Sequence, residues 1–377
     1  SWYTTHYEFH DIEDNVLKLD ILGHVDPTAM KMLDKITGID VRKIPMNDPA
    51  TISLFSSPKS LGVDERKYHE KTGGLGLPEF GTPFVRRMLE ATRPNKFSDL
   101  VRISGLSHGT DVWANNAEEL IKNGYTLDEV IGCRDDIMVG LMQYGLEPKM
   151  AFDIMESVRK GRGLRDEWVK AMKENGVPDW YIDSCLKIKY MFPKAHAAAY
   201  VMMAVRIAWF KVYHPRAYYA VYFTLRVDAY EIETMVAGPQ VIAHRLNSIQ
   251  DRLNNFETKR DVTQKEKNLI DTLEVSLEMY YRGYRINPIS LEHSDATEFI
   301  LDPHDDQAIL PPFNVVDGLG NSVAQNIVKA RDEEMFISKE DMMRRGGVSS
   351  TLMKKLDDLK VTDHLQESNQ MSLFDSL

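Results

Sequence analysis

The chain has 377 residues, 43% of them hydrophobic, with two cysteines and a formal net charge of −11, a length that predicts two or three domains. Cys133 and Cys185 lie far apart with no CxxC or CxxH partner, which argues against a disulfide framework and a structural zinc site and for a reducing compartment. No apolar run approaches the roughly 20 residues that span a bilayer and the start lacks a signal-peptide layout, so a cytoplasmic chain without membrane contact is expected.

The sequence opens without Met, inside what reads as a folded segment, and is expected to be a piece of a longer protein. Its first patterned stretch, VLKLDILG, alternates like a strand: Leu17, Leu19 and Ile21 share one face, Lys18 and Asp20 the other. A carboxylate and an ammonium side by side suit phosphoryl transfer, where Mg²⁺ and phosphate charge must both be balanced. An exposed strand face with an ordinary ion pair fits the same spacing.

Helical periodicity follows in PTAMKMLDKIT, PFVRRMLEAT, NAEELIKNG and PKMAFDIMESVRKG. Between the second and third of these, GLSHGTDVW is expected to be a polar turn in which Ser107 and His108 shape a pocket; no GxSxG elbow supports a catalytic triad. SVRKGRGLR gathers Arg159, Lys160, Arg162 and Arg165 around two glycines. Such guanidinium groups clamp phosphate, or simply complement a helix C-terminal dipole.

The acidic total argues at first against nucleic acid, but no Asp or Glu occurs between Asp183 and Asp228. Lys187, Lys189, Lys194, Arg206, Lys211, Arg216 and Arg226 form an acid-free block there. In KYMFPKAHAAAY, Pro193 suits a first helical turn and places Lys194 and His196 at an N-terminus, where backbone N–H groups favour anions. A buried amphipathic helix with lysines at its edge is the competing account, and VMMAVRIAWF reads as core. The helical zone is expected to run from about Pro193 to Arg282, broken near Gly238 and between Asn254 and Thr263.

Residues 284–313 mix short apolar runs with Pro and Asp and predict a linker with one or two strands. VVDGLGNSVAQNIVKAR then resembles a helix-hairpin-helix element: Gly318 and Gly320 permit a tight turn, and Asn321 or Ser322 opens a helix whose free N–H groups can meet a DNA phosphate. SKEDMMRRGGVSSTLMKKLDDL repeats the pattern with Gly346 and Gly347; a plain helix cap explains either glycine pair about as well. The polar tail ends in NQMSLFDSL, where the apolar residues have no core of their own to enter.

Together, KLDILG, RISGLSHGTDVWANNAEELI, KYMFPKAHAAAYVMMAVRIAWFKVYHP and QMSLF resemble the C-terminal part of the alpha subunit of bacterial replicative DNA polymerase III, PolC type, a C-family polymerase, over essentially the whole chain. The resemblance implies a mainly α fold with minor β structure, a fingers domain followed by a helix-hairpin-helix duplex-binding domain. It implies an end of the palm at 1–23, fingers at 24–230, a helical connector and linker at 231–300, duplex-binding hairpins at 301–365 and a clamp-binding tail at 366–377. Asp20 would be the third palm carboxylate and a Mg²⁺ ligand, and Lys18 the palm lysine. Arg159, Lys160, Lys194 and His196 would face the incoming dNTP, so the basic block would hold nucleotide phosphates and nearby template. QMSLF resembles a sliding-clamp-binding motif, with Gln370 and Met371 ahead of the Leu373–Phe374 anchor.

The implied partners are primer-template DNA, dNTPs, the sliding clamp (beta subunit) and other replisome subunits. The Asp-x-Asp pair that completes the two-metal site is absent from this sequence, so the piece alone is expected to be inactive. Two other classes compete: a non-catalytic DNA-binding and clamp-tethering module, and a nucleotidyltransferase of another family, which would need its own carboxylate set.

Overall fold

The computed structural model describes Tyr3 and residues 6–12, 15–16, 24–63 and 66–369. Lys18 and Asp20 lie outside the described residues, as do Gln370, Met371, Leu373 and Phe374. What is described is mostly helical, with one small sheet.

The organising element is a 20-residue helix, Lys194–Tyr213, rich in alanine and free of Gly and Pro. Pro193 stands one residue ahead of the expected first turn, as the N-cap with extended backbone (ψ 143°). The helix stops at His214 because the next residue is Pro215, whose ring disfavours helical backbone at the position before it. Pro215 then opens a second helix, Pro215–Leu225, where its missing N–H is not needed. The predicted helical zone is thus broken at His214 and over 226–231 as well as near Gly238 and between Asn254 and Thr263.

We label helices α1 Asp26–Thr37, α2 Phe97–His108, α3 Arg134–Gln143, α4 Pro148–Arg159, α5 Lys194–Tyr213, α6 Pro215–Leu225, α7 Pro239–Asn254 and α8 Gln264–Tyr281. α5 packs on α1, α2 and α6, and its buried Val201, Ala204, Val205 and Ala208 join one continuous core. Small residues on that face let neighbouring backbones approach closely. α7 and α8 pair with each other. Thr263 and Glu266 form a capping box that starts α8, and Arg252 and Arg245 of α7 reach the same Glu266 carboxylate, Arg245 at 3.2 Å.

Lys211 and Glu278 are both fully buried, 2.9 Å apart at closest, and tie α5 to α8. Glu278 also accepts from Tyr68 at 2.6 Å and Tyr219 at 2.8 Å, while Lys211 donates to the carbonyls of Gly73 and Leu75. The Lys211 ammonium protons and both Glu278 oxygens therefore have partners, the condition under which a buried ion pair is tolerated. Desolvation pushes the Lys211 ammonium down to about 8 against the pull of Glu278.

This corrects the expectation that the acid-free block is one phosphate-holding patch. Lys211 is core, Arg226 is paired with the buried Asp26 carboxylate, and Arg216 donates to the Asp305 carbonyl at 2.8 Å. Helices point successive residues in different directions, so a run of charges in sequence is dispersed in space.

The linker forms β1 Arg285–Ile286, β2 Ile300–Leu301 and β3 Ala308–Leu310, with β3 central, parallel to β1 and antiparallel to β2. Three further helices follow, α9 Asn321–Glu333, α10 Lys339–Gly346 and α11 Ser350–Asp358, each entered through a Gly or Ser turn. No helix among the described residues is long and apolar enough to cross a membrane.

Candidate functional site

The N-terminus of α5 and the C-terminus of α2 meet. GLSHGTDVW was expected to be a turn, but Gly105–His108 form the last turn of α2, and the chain leaves the helix at Gly109. Ser107 Oγ lies 2.9 Å from the Ser104 carbonyl and 2.9 Å from His108 Nδ1, contacts that a helix end accommodates without breaking. Thr110 then bridges to Tyr190, which brings the loop against the strand-like run that leads into α5.

His196 lies one turn from Tyr200, with ring centroids 4.5 Å apart, and 4.9 Å from Phe192. Phe192 in turn meets the His108 ring at 5.5 Å. Tyr200 Oη is 2.7 Å from His24 Nε2. These rings and the Glu79 carboxylate line a cavity of about 180 Å³ bounded by His24, Glu79, His108, Phe192, His196 and Tyr200. The structure thus brings His108 and His196, two residues singled out by sequence, to one cavity, with Ser107 behind the His108 ring.

Lys194 stands on the other side of that helix start, half exposed, at the edge of a wider cleft of about 560 Å³ that also holds Arg102, Tyr125, Asp135, Asp136 and Trp180. Its ammonium is 3.1 Å from Asp136 Oδ1, and its backbone N–H donates to Asp135 Oδ2 at 2.7 Å. The first amide of α5 and the adjacent ammonium therefore both hold an anion, as expected for a helix N-terminus carrying a cation. Asp136 is itself fixed by the N–H groups of Gly132 and Cys133, at 3.1 and 2.9 Å.

Arg159 and Lys160 do not converge on Lys194. Arg159 makes a two-toothed contact with Glu156 one turn earlier on α4, and Lys160 is 3.4 Å from the same carboxylate. Glu156 raises the Arg159 guanidinium above its usual value. Their turn does approach the α5 entry: a Cβ on Gly161 would sit 2.6 Å from the Lys189 carbonyl, a contact only glycine permits.

In the C-terminal unit, Gly318 has φ +85°, the left-handed region that favours glycine, and Gly320 is the extended N-cap of α9. Asn321 and Ser322 open that helix and are exposed, and nothing lies within 4 Å of where a Gly320 Cβ would stand. Lys355 donates to the Asp317 carbonyl at 2.6 Å, tying α11 to the turn. The helix start is thus exposed, with no side-chain cap on its first N–H groups among the described residues.

Glu79, His24, Phe192, Asp135 and Asp136 carry much of this geometry and were not singled out by sequence. Asp135 and Asp136 read as ordinary first-turn acids of α3, and Glu79 sits in GLPEFG with no periodicity to mark it. Among the described residues no group of three or more His, Cys, Asp or Glu side chains is placed to hold a metal ion. The described residues alone therefore do not fit a two-metal centre.

Residues 26–176 match the family model described as the bacterial DNA polymerase III alpha subunit finger domain, and residues 283–371 match a helix-hairpin-helix motif. The chain is 56% identical over 376 residues to a protein named DNA polymerase III PolC-type from Staphylococcus haemolyticus, covering all of this chain and 26% of that protein. It is 56% identical to the protein of the same name from Bacillus subtilis, over 99% of this chain and 25% of the relative. The Oceanobacillus iheyensis protein is 55% identical. The chain spans about a quarter of the length of the curated relatives it matches.

Proposed function

Because the chain belongs to the PolC-type DNA polymerase III family, as a segment spanning its finger and helix-hairpin-helix regions, we propose that it holds the phosphates of an incoming dNTP at the start of α5 and grips primer-template duplex through the α9 turn. The observation that carries the reading is the Lys194 ammonium and the first α5 amide, presented side by side and each already occupied by a carboxylate. A triphosphate offers the same oxygens with more charge, and exchanges for Asp135 and Asp136. His196, His108 and the aromatic cavity beside them take the rest of the nucleotide. Arg159 and Lys160 approach through the Gly161–Lys189 contact once freed from Glu156.

The chemistry is attack of a primer 3′-hydroxyl on the α-phosphorus with loss of pyrophosphate. Asp20, with carboxylates from elsewhere in the longer protein, would hold Mg²⁺ there, and Lys18 would balance phosphate charge; the ions supply Lewis acidity. Domain limits follow the same reading: end of palm to 23, fingers to 230, connector to 300, hairpins to 365, tail beyond. In the tail, Leu373 and Phe374 would anchor on the sliding clamp with Gln370 at the rim and Met371 between. A tail peptide should bind the clamp, and its Leu373→Ala/Phe374→Ala form should not; equal binding of both removes the clamp from the reading.

The test of the nucleotide site is steady-state incorporation by the full-length polymerase. Lys194→Ala should raise the dNTP KM by about tenfold or more, from loss of one charged hydrogen bond of about 1.5–3 kcal/mol, and leave primer-template affinity close to wild type. An unchanged KM favours the non-catalytic DNA-binding and tethering module instead.

A further inference from the structure

Glu79 is a non-glycine residue with φ +65°, in the left-handed region that a β-carbon disfavours. Such strain persists only where surrounding structure enforces it, and it concentrates at functional sites. Its carboxylate is mostly buried and its Oε2 lies 3.3 Å from His108 Nε2 across the cavity wall. The other nitrogen of that ring, Nδ1, lies 2.9 Å from the Ser104 carbonyl oxygen. Both ring nitrogens therefore have an oxygen partner, which fixes the orientation of the ring. His108 then continues through Phe192 to His196 and Tyr200, a run of ring contacts around the cavity.

We propose that Glu79 is a positioning residue for the nucleotide site: its backbone is held in the left-handed region so that its carboxylate fixes the His108 ring as one wall of the cavity beside His196. This rests on the reading of the α5 start as a nucleotide site. Glu79 acts through His108, holding the ring at the cavity wall, as carboxylates orient histidines around other functional centres. Glycine would take this backbone without strain, and what glutamate adds at this position is the carboxylate contact to His108.

The experiment compares Glu79→Gln, Glu79→Gly, Glu79→Asp and Lys194→Ala in the full-length polymerase, by dNTP KM and kcat, primer-template affinity and thermal midpoint. Glu79→Gln should raise the dNTP KM about tenfold with little change in DNA affinity. Glu79→Gly should raise KM likewise while the thermal midpoint holds or rises, and Glu79→Asp should recover most of the wild-type KM. A lowered midpoint with unchanged KM in Glu79→Gly would make the residue structural and overturn the proposal, as would a normal KM in Glu79→Gln when Lys194→Ala raises it. If neither Glu79→Gln nor Lys194→Ala moves KM, the nucleotide site itself is misplaced and the proposal falls with it.

Discussion

At the scale of single residues, most cations that the sequence displays are already committed. Lys211 is inside the core, Arg159 is bound to Glu156, and Lys194 is shared between an ammonium contact and a backbone contact to two aspartates. Identical residue types thus differ in role by burial alone. The Lys211–Glu278 pair makes this measurable. Lys211→Met should destabilise the protein by about 3–5 kcal/mol, because it leaves Glu278 charged and fully buried without its cation. Lys211→Met with Glu278→Leu should cost less than the sum of the two single changes, a coupling that denaturant unfolding of the four proteins reads directly. Additive losses would mean that the two groups are held independently.

At the scale of elements, helix starts were the most legible features and the loops between them the least. The α5 start, the Gly238 break before α7 and the Gly318–Gly320 turn all follow from Pro and Gly placement, and sequence located them to within a residue or two. The three-stranded sheet was expected only as one or two strands, because strands of two or three residues carry no periodicity. The cavity was half legible: His108 and His196 stand in motifs, whereas Glu79 and His24 reach it from loops distant in sequence. No spacing rule links residues that only tertiary packing brings together.

The capping of α8 offers a pH test at the same scale. Hydrogen bonding from Arg252, with help from Thr263 and Arg245, lowers the Glu266 carboxyl to about 2 against a usual 4.5. A group depressed in the folded state stabilises it fully above the unfolded value and loses that contribution as pH falls through the folded one. Stability should therefore drop between about pH 4.5 and pH 2 by this term, and Glu266→Gln should flatten that part of the profile while lowering stability at neutral pH. An unaltered acid limb in thermal melts of the variant would assign the loss to other carboxylates.

At the scale of the whole molecule, the chain presents two helix starts of interest: α5, beyond the finger-matching residues 26–176 and facing two aspartates, and α9, within the helix-hairpin-helix match. The central claim is that the first meets nucleotide and the second meets duplex. Gly320→Val is the sharpest probe of the second. Its φ of −77° suits any residue and its Cβ would stand in open space, so the fold should tolerate the change while the added side chain blocks a phosphate from the α9 amides. The measurement is primer-template affinity and dNTP KM for the full-length polymerase carrying Lys194→Ala or Gly320→Val. The account predicts a crossed result, with Lys194→Ala raising KM alone and Gly320→Val weakening DNA binding alone. Both changes moving the same constant, or Gly320→Val leaving DNA affinity untouched, would contradict it.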